Sequence, residues 1–336
     1  MRCAKLYYPG QIELVEVPEP EIQSDEDVKI RVNYGALNAD DYNVYIGKQG
    51  QTYCDYGLFH EISGEIVQLG AYSARTGLQV GDHVAASPFI PCGSCPACRA
   101  GKWNLCREMF SNGLLAEYVS LNHRRLFRIP QEITPQQGSL TWLVLTCVRC
   151  MERLSVLPGQ RILILGAGSS GQILVQLARR KLPSILAVSE PLQSKRTLAV
   201  LNGADVVIDS TSENLMSKAL DITDGAGFDI IIDAAGDILA LQNSIALLER
   251  GGKLMIFASY DFTSYLNLNL ADLYWKECVV MGVYGATNSP YTVSDTKILS
   301  QLSLDSLIGK VFPLSDLKQA FEAYGSRLYT RILVQP

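Results

Sequence analysis

The sequence has no run of basic residues, no internal repeat, no low-complexity segment and no uncharged apolar stretch of transmembrane length. Each absence removes a class of function. The net charge is −5, and without a basic patch a nucleic-acid partner is not expected. Without an apolar run of about twenty residues, no helix is expected to cross a membrane. The opening "MRCAKLYYPG" lacks the apolar stretch of a signal peptide, so a soluble, cytoplasmic protein is expected. Histidine is scarce, with 3 residues, but cysteine is not, with 9. That number is odd, and several cysteines crowd together. Without a secretion signal this favours a metal site over a disulfide framework.

What is present indicates two domains. A chain of 336 residues, 48% of them hydrophobic, can bury two cores. The first part is built of short alternating runs such as "KIRVNYG", "GEIVQLG", "DHVAASPF" and "AEYVSL", punctuated by Gly and Pro, which reads as a β-rich, barrel-like domain. From residue 143 the texture changes. Apolar strands ("RILILGAG", "SILAVSE", "FDIIIDAAG", "GKLMIFASY") alternate with helical patterns, as in a parallel sheet covered on both faces. The expected layout is a β-rich domain over 1–142, a doubly wound α/β domain over 143–283, and a C-terminal segment, 284–336, ending in a helix and a strand.

Between the first strand and helix of the α/β part lies Gly166-Ala167-Gly168-Ser169-Ser170-Gly171. Gly166 permits a tight turn, Gly168 lets the backbone approach a pyrophosphate, and Gly171 lets helix and strand pack closely. Ser169 and Ser170 open the helix whose N-terminus faces the anion. The next strand ends at Glu190, 19 residues after Gly171, where a carboxylate accepts the ribose hydroxyls and repels a 2′-phosphate, favouring NAD(H) over NADP(H). Lys195 and Arg196 follow in the next helical pattern, and Lys195 joins the candidate cofactor set. The alternative is an ordinary strand–helix join with surface charges.

Cys92, Cys95, Cys98 and Cys106 follow the pattern C-x2-C-x2-C-x7-C. Four thiolates at this spacing can close a tetrahedral shell around zinc, leaving no open position, so such an ion stabilises a loop and does no chemistry. An iron–sulfur cluster or unpaired buried thiols are the alternatives. Cys3, Cys54, Cys147, Cys150 and Cys278 are scattered and read as small core residues.

Together with "VGDHV", "NGAD" and the closing "KVFPLSDLKQAFEA", these features resemble the zinc-containing medium-chain dehydrogenase/reductase superfamily, alcohol and polyol dehydrogenase type, over almost the whole chain. The resemblance implies a GroES-like catalytic domain and a Rossmann NAD-binding domain. It also implies an active site in the cleft between them, a small-molecule substrate, and a homo-oligomer, dimer or tetramer. It further implies a catalytic zinc held by a Cys from a "CGTD-x-H" stretch, the His of "GHE", and a Cys or Glu near the start of the helical crossing. Here "NADDYN" stands in the first place, so Asn38 replaces the Cys and Asn43 the relay His; "FHE" keeps His60 and Glu61; and the third position falls at or beside Trp142. Arg331 matches a family position that can reach the cofactor phosphates.

The departures imply that the catalytic zinc is absent and that one structural zinc remains. The residues expected to handle substrate and proton are Asp40, Asp41, Tyr42, His60 and Glu61. His83 and His123 read as surface or strand residues. A pocket this acidic suits a polyol, a sugar or an aminocyclitol-like substrate. Three alternatives stand beside this reading. One is a zinc enzyme with substituted ligands (His60, Glu61 and Asp40 or Asp41, with Cys147 as a substitute). Another is a zinc-independent reductase of an activated C=C or C=N bond. The last is a non-catalytic NAD-binding protein.

Overall fold

The computed structural model describes residues 1–48, 61–111, 115–261, 263–286 and 296–336. The chain forms two compact units: Met1–Leu145 with Gly285–Pro336, and Thr146–Tyr284. The division falls inside one helix, Thr141–Leu154.

The first unit is built on a mostly antiparallel sheet, seven-stranded among the described residues. Its longest strand, Asp27–Leu37, alternates in sequence, and Val28, Ile30 and Val32 go to the interior. Ile62–Leu69 pairs antiparallel with this strand on one side and the C-terminal strand, Arg331–Gln335, on the other. The last strand of the chain is thereby stitched to one of the first. Apolar clusters lie around these strands, one centred on Val28, Ile30, Ile62 and Ile66, another on Leu37, Phe312, Phe321 and Val334.

The second unit holds six parallel strands: β1 (Arg161–Leu165), β2 (Ile185–Ser189), β3 (Val206–Ile208), β4 (Phe228–Asp233), β5 (Leu248–Ile256) and β6 (Val279–Gly282). Their order is β3-β2-β1-β4-β5-β6, so the winding reverses between β1 and β4. Ligands bind at the carboxyl ends of the strands at such a switch point. The central strands are apolar on both faces because helices cover both. Ile162, Leu163, Ile164, Ile230, Ile231 and Ile232 are all fully buried. The expected α/β architecture with a parallel sheet is what the chain adopts. Among the described residues no helix is long and apolar enough to cross a membrane.

Candidate functional site

In the second unit the glycine turn lies at the switch point. Leu165, which ends β1, pairs with Asp233, which ends β4. Gly166 has φ +86, and a Cβ there would come 2.9 Å from Cα of Ala235, just past β4. The helix Ser169–Arg179 begins immediately after, with Gly168 as N-cap and no side-chain cap on its first amides. Those N–H groups are the ones an anion takes. A Cβ at Gly168 would meet nothing within 4 Å, whereas one at Gly171 would lie 2.0 Å from the carbonyl oxygen of Gly166. Gly168 leaves an open approach, and Gly171 lets the helix sit on the turn.

Glu190 is buried beside this turn. Its Oε2 accepts a hydrogen bond from the Ala167 amide at 2.7 Å, and its Oε1 accepts one from Leu192 at 3.0 Å. Lys195 is buried in the helix Gln193–Leu201, where its carbonyl accepts a bond from Gln172 Nε2 at 2.9 Å. Asp233 was not singled out from the sequence, although "DAAG" at a strand end was a signal for it. Its Oδ1 accepts from the Ala235 and Gly236 amides at 3.1 and 3.2 Å, and its Oδ2 from the Tyr260 hydroxyl at 2.8 Å. Burial pushes the Asp233 carboxyl up, against these three donors.

In the first unit, "NADDYN" opens a helix. Asn38 is the N-cap of Ala39–Tyr45. Its Oδ1 accepts from the Asp41 amide at 2.9 Å, and Asp41 Oδ2 accepts from the Asn38 amide at 3.2 Å. This reciprocal capping box explains both residues locally. It also separates the two carboxylates. Neighbours on a helix point about 100° apart, so Asp41 is fully buried and Asp40 is exposed. Tyr42 packs into an apolar cluster, its ring 5.2 Å from that of Tyr324, and its hydroxyl lies against Gly325. His60 lies outside the described residues.

The Asn38 amide also donates from Nδ2 to Glu61 Oε1 at 3.2 Å. The other oxygen of Glu61 pairs with the Arg331 guanidinium. Both partners are buried, with side chains 4% and 3% exposed. Burial pushes the Glu61 carboxyl above its usual range, and Arg331 and Asn38 oppose that shift. Asn38, Asp41, Glu61 and Arg331 are thus brought together; Tyr42 turns to the core and Asp40 to the surface. Burial pushes the nearby Tyr324 hydroxyl to about 12. Trp142 stands edge-on to Phe89 at 5.8 Å and 6.3 Å from Phe127, lining a small cavity with Ser87, Asn104 and Ala286. Cys147 is buried in the second unit, its Sγ 3.8 Å from the Ser170 carbonyl oxygen. His83 is exposed. His123 is buried against Tyr72 at 5.4 Å, and burial lowers its pKa.

Cys92, Cys95, Cys98 and Cys106 converge, with sulfur atoms within 4.8 Å of one another. Among the described residues they are the one such group of three or more His, Cys, Asp or Glu side chains. The turns between them aim amides at the sulfurs: Cys95 N donates to Cys92 Sγ at 3.4 Å, Cys98 N to Cys95 Sγ at 3.5 Å and Cys92 N to Cys106 Sγ at 3.3 Å. The Ser94 and Cys95 amides lower the Cys92 thiol to about 6. A compact shell of four sulfurs with N–H support fits a closed tetrahedral zinc site.

The family model "Alcohol dehydrogenase GroES-like domain" matches residues 24–131, and "Zinc-binding dehydrogenase" matches residues 171–300. The protein named Probable D-xylulose reductase A from Aspergillus terreus is 30% identical, covering 93% of this chain and 91% of its own. L-threonine 3-dehydrogenase from Pyrococcus horikoshii is 27% identical, covering 94% of this chain and 92% of its own. A protein described as a zinc-binding dehydrogenase from Sinorhizobium meliloti, solved bound to NADP, shares the fold with a TM-score of 0.92 at 24% identity, covering 100% of this chain and 99% of its own. The chain belongs to the medium-chain dehydrogenase/reductase superfamily, in its zinc-type alcohol and polyol dehydrogenase group.

Proposed function

We propose that this chain is an NAD(H)-dependent oxidoreductase that interconverts an alcohol and a ketone on a polar substrate, a polyol, sugar or amino alcohol, without a catalytic zinc. One structural zinc is held by Cys92, Cys95, Cys98 and Cys106, and the protein works as a cytoplasmic homo-oligomer. One observation carries the metal-free part. Both side-chain groups of Asn38 are engaged, one in capping its helix and one in binding Glu61. Glu61 in turn is held between Asn38 and Arg331. Trp142, at the third expected position, carries no donor suited to zinc and packs against two phenyl rings. The relatives named as acting on xylulose and threonine support a substrate bearing several polar groups.

The bound nucleotide supplies or accepts the hydride. The glycine turn orients it through backbone N–H groups, and Glu190 at the end of β2 favours a free ribose. Asp40 and His60 handle the substrate proton, with Glu61 and Asp41 holding the segment in place. Zinc quantification of the purified holoprotein and turnover with a panel of polyols, before and after a chelator, test this reading. We expect about one zinc per chain, chelator-resistant turnover while the fold persists, and at least tenfold loss in Asp40→Asn. Two zinc ions per chain, or turnover confined to simple alkanols, would refute it.

A further inference from the structure

At the carboxyl end of β2 a second charged pair lies beside Glu190. Arg196 in the helix Gln193–Leu201 is buried, its side chain 9% exposed. Its Nη1 donates to the carbonyl oxygens of Glu190 at 2.8 Å and Pro191 at 2.6 Å. Its Nη2 reaches Gln193 Oε1 at 2.8 Å and Asp209 Oδ2 at 2.8 Å. Asp209 comes one residue after β3, the strand next to β2, and the two strand ends are tied by Glu190 N donating to the Ile208 carbonyl at 3.0 Å. The other oxygen of Asp209 is also fixed, accepting from the Thr211 amide at 3.0 Å and hydroxyl at 2.6 Å.

A guanidinium near the ribose-binding acid is what a dinucleotide fold uses to accept a 2′-phosphate. Here that guanidinium is already paired with a carboxylate, and two further acceptors are its own strand-end carbonyls. We propose that Asp209 is a specificity-determining residue, which withholds Arg196 from the ribose 2′-position and so adds to the discrimination by Glu190 against NADP(H). The inference rests on the reading of this turn as a dinucleotide site. A 2′-phosphate arriving beside Glu190 meets two carboxylates and one guanidinium that is already neutralised. The 2′-hydroxyl of NAD(H) asks nothing of Arg196. Removing the Asp209 charge frees the guanidinium for a charge-assisted bond to phosphate.

The test is fluorescence titration of the protein with NADH and with NADPH. The wild type, Asp209→Asn, Arg196→Gln and the double variant are compared, each checked for an unchanged melting temperature. Asn at 209 keeps an acceptor for the Thr211 bonds. The wild type prefers NADH. In Asp209→Asn the NADPH affinity rises about tenfold, the size of one charge-assisted bond to phosphate, while NADH changes less than about threefold. In the double variant that gain disappears, because the cation that produced it is gone. An NADPH/NADH ratio unchanged in Asp209→Asn, or a gain that survives in the double variant, overturns the inference while leaving the cofactor reading intact. Failure of the wild type to bind either nucleotide overturns the cofactor reading and the inference with it.

Discussion

Replacing Arg331 by leucine tests the buried pair at the centre of the first unit. Arg331 and Glu61 are almost inaccessible to water, and Arg331 opposes the upward shift that burial imposes on the Glu61 carboxyl. Removing one member of a buried pair leaves a charge without compensation and costs about 3–5 kcal/mol. In a unit of roughly 200 residues, 1 kcal/mol moves the melting temperature by about 2–4 °C. Arg331→Leu is therefore expected to melt ~10 °C lower near pH 7.5. The loss depends on pH. With its folded pKa raised, Glu61 binds its proton in the native state at pH values where the unfolded chain, near 4.3, has released it. Its contribution is then full below about pH 4 and is lost as pH rises through the folded pKa. Without Arg331 the folded pKa rises further, so the deficit is smallest near pH 5 and grows toward pH 8. Glu61→Gln leaves Arg331 unpaired and shows a similar deficit without that added slope. The double variant Glu61→Leu/Arg331→Leu is milder than either single one. Calorimetric melts of the four proteins at pH 5, 6.5 and 8 read these differences. Single variants within about 1 kcal/mol of wild type, or an Arg331→Leu deficit constant across that range, would refute the account of the pair.

The two glycines of the turn separate folding from binding. At Gly168, where φ is −66 and a Cβ meets nothing, alanine leaves the melting temperature unchanged or slightly higher, yet weakens NADH binding at least tenfold by blocking the backbone approach. At Gly171 the Cβ would strike the Gly166 carbonyl at 2.0 Å, so alanine there destabilises the second unit itself by a few kcal/mol in a calorimetric melt. Asn38→Ala removes a helix cap and a donor to Glu61 together, an expected loss of about 1–2 kcal/mol. Asn38→Ser recovers the capping part alone, and full recovery by Ser would show that the bond to Glu61 contributes nothing.

What the sequence determined by itself was local. Gly166 through Gly171 sit within six residues between an apolar strand and an amphipathic helix, so their conformation follows from adjacent residues. The same holds for the four cysteines, whose spacing alone allows the sulfurs to converge, and for the central strands β1, β2 and β4, whose apolar runs announced a sheet with a buried middle. The layout around "NADDYN" was not local. Read as a string, Asp40 and Asp41 were both candidates for handling the proton; the helix that Asn38 caps turned Asp41 into the core and Asp40 to the surface. Glu61 finds Arg331 across 270 residues only because the last strand returns to pair with Asp27–Leu37. Arg196 meets Asp209, and Asp233 meets Tyr260, through the order in which strands and connections come together. Charge pairs of this kind depend on which strand lies next to which. Sheet order is settled by burial over the whole domain, so the residue type at one position does not reveal its partner.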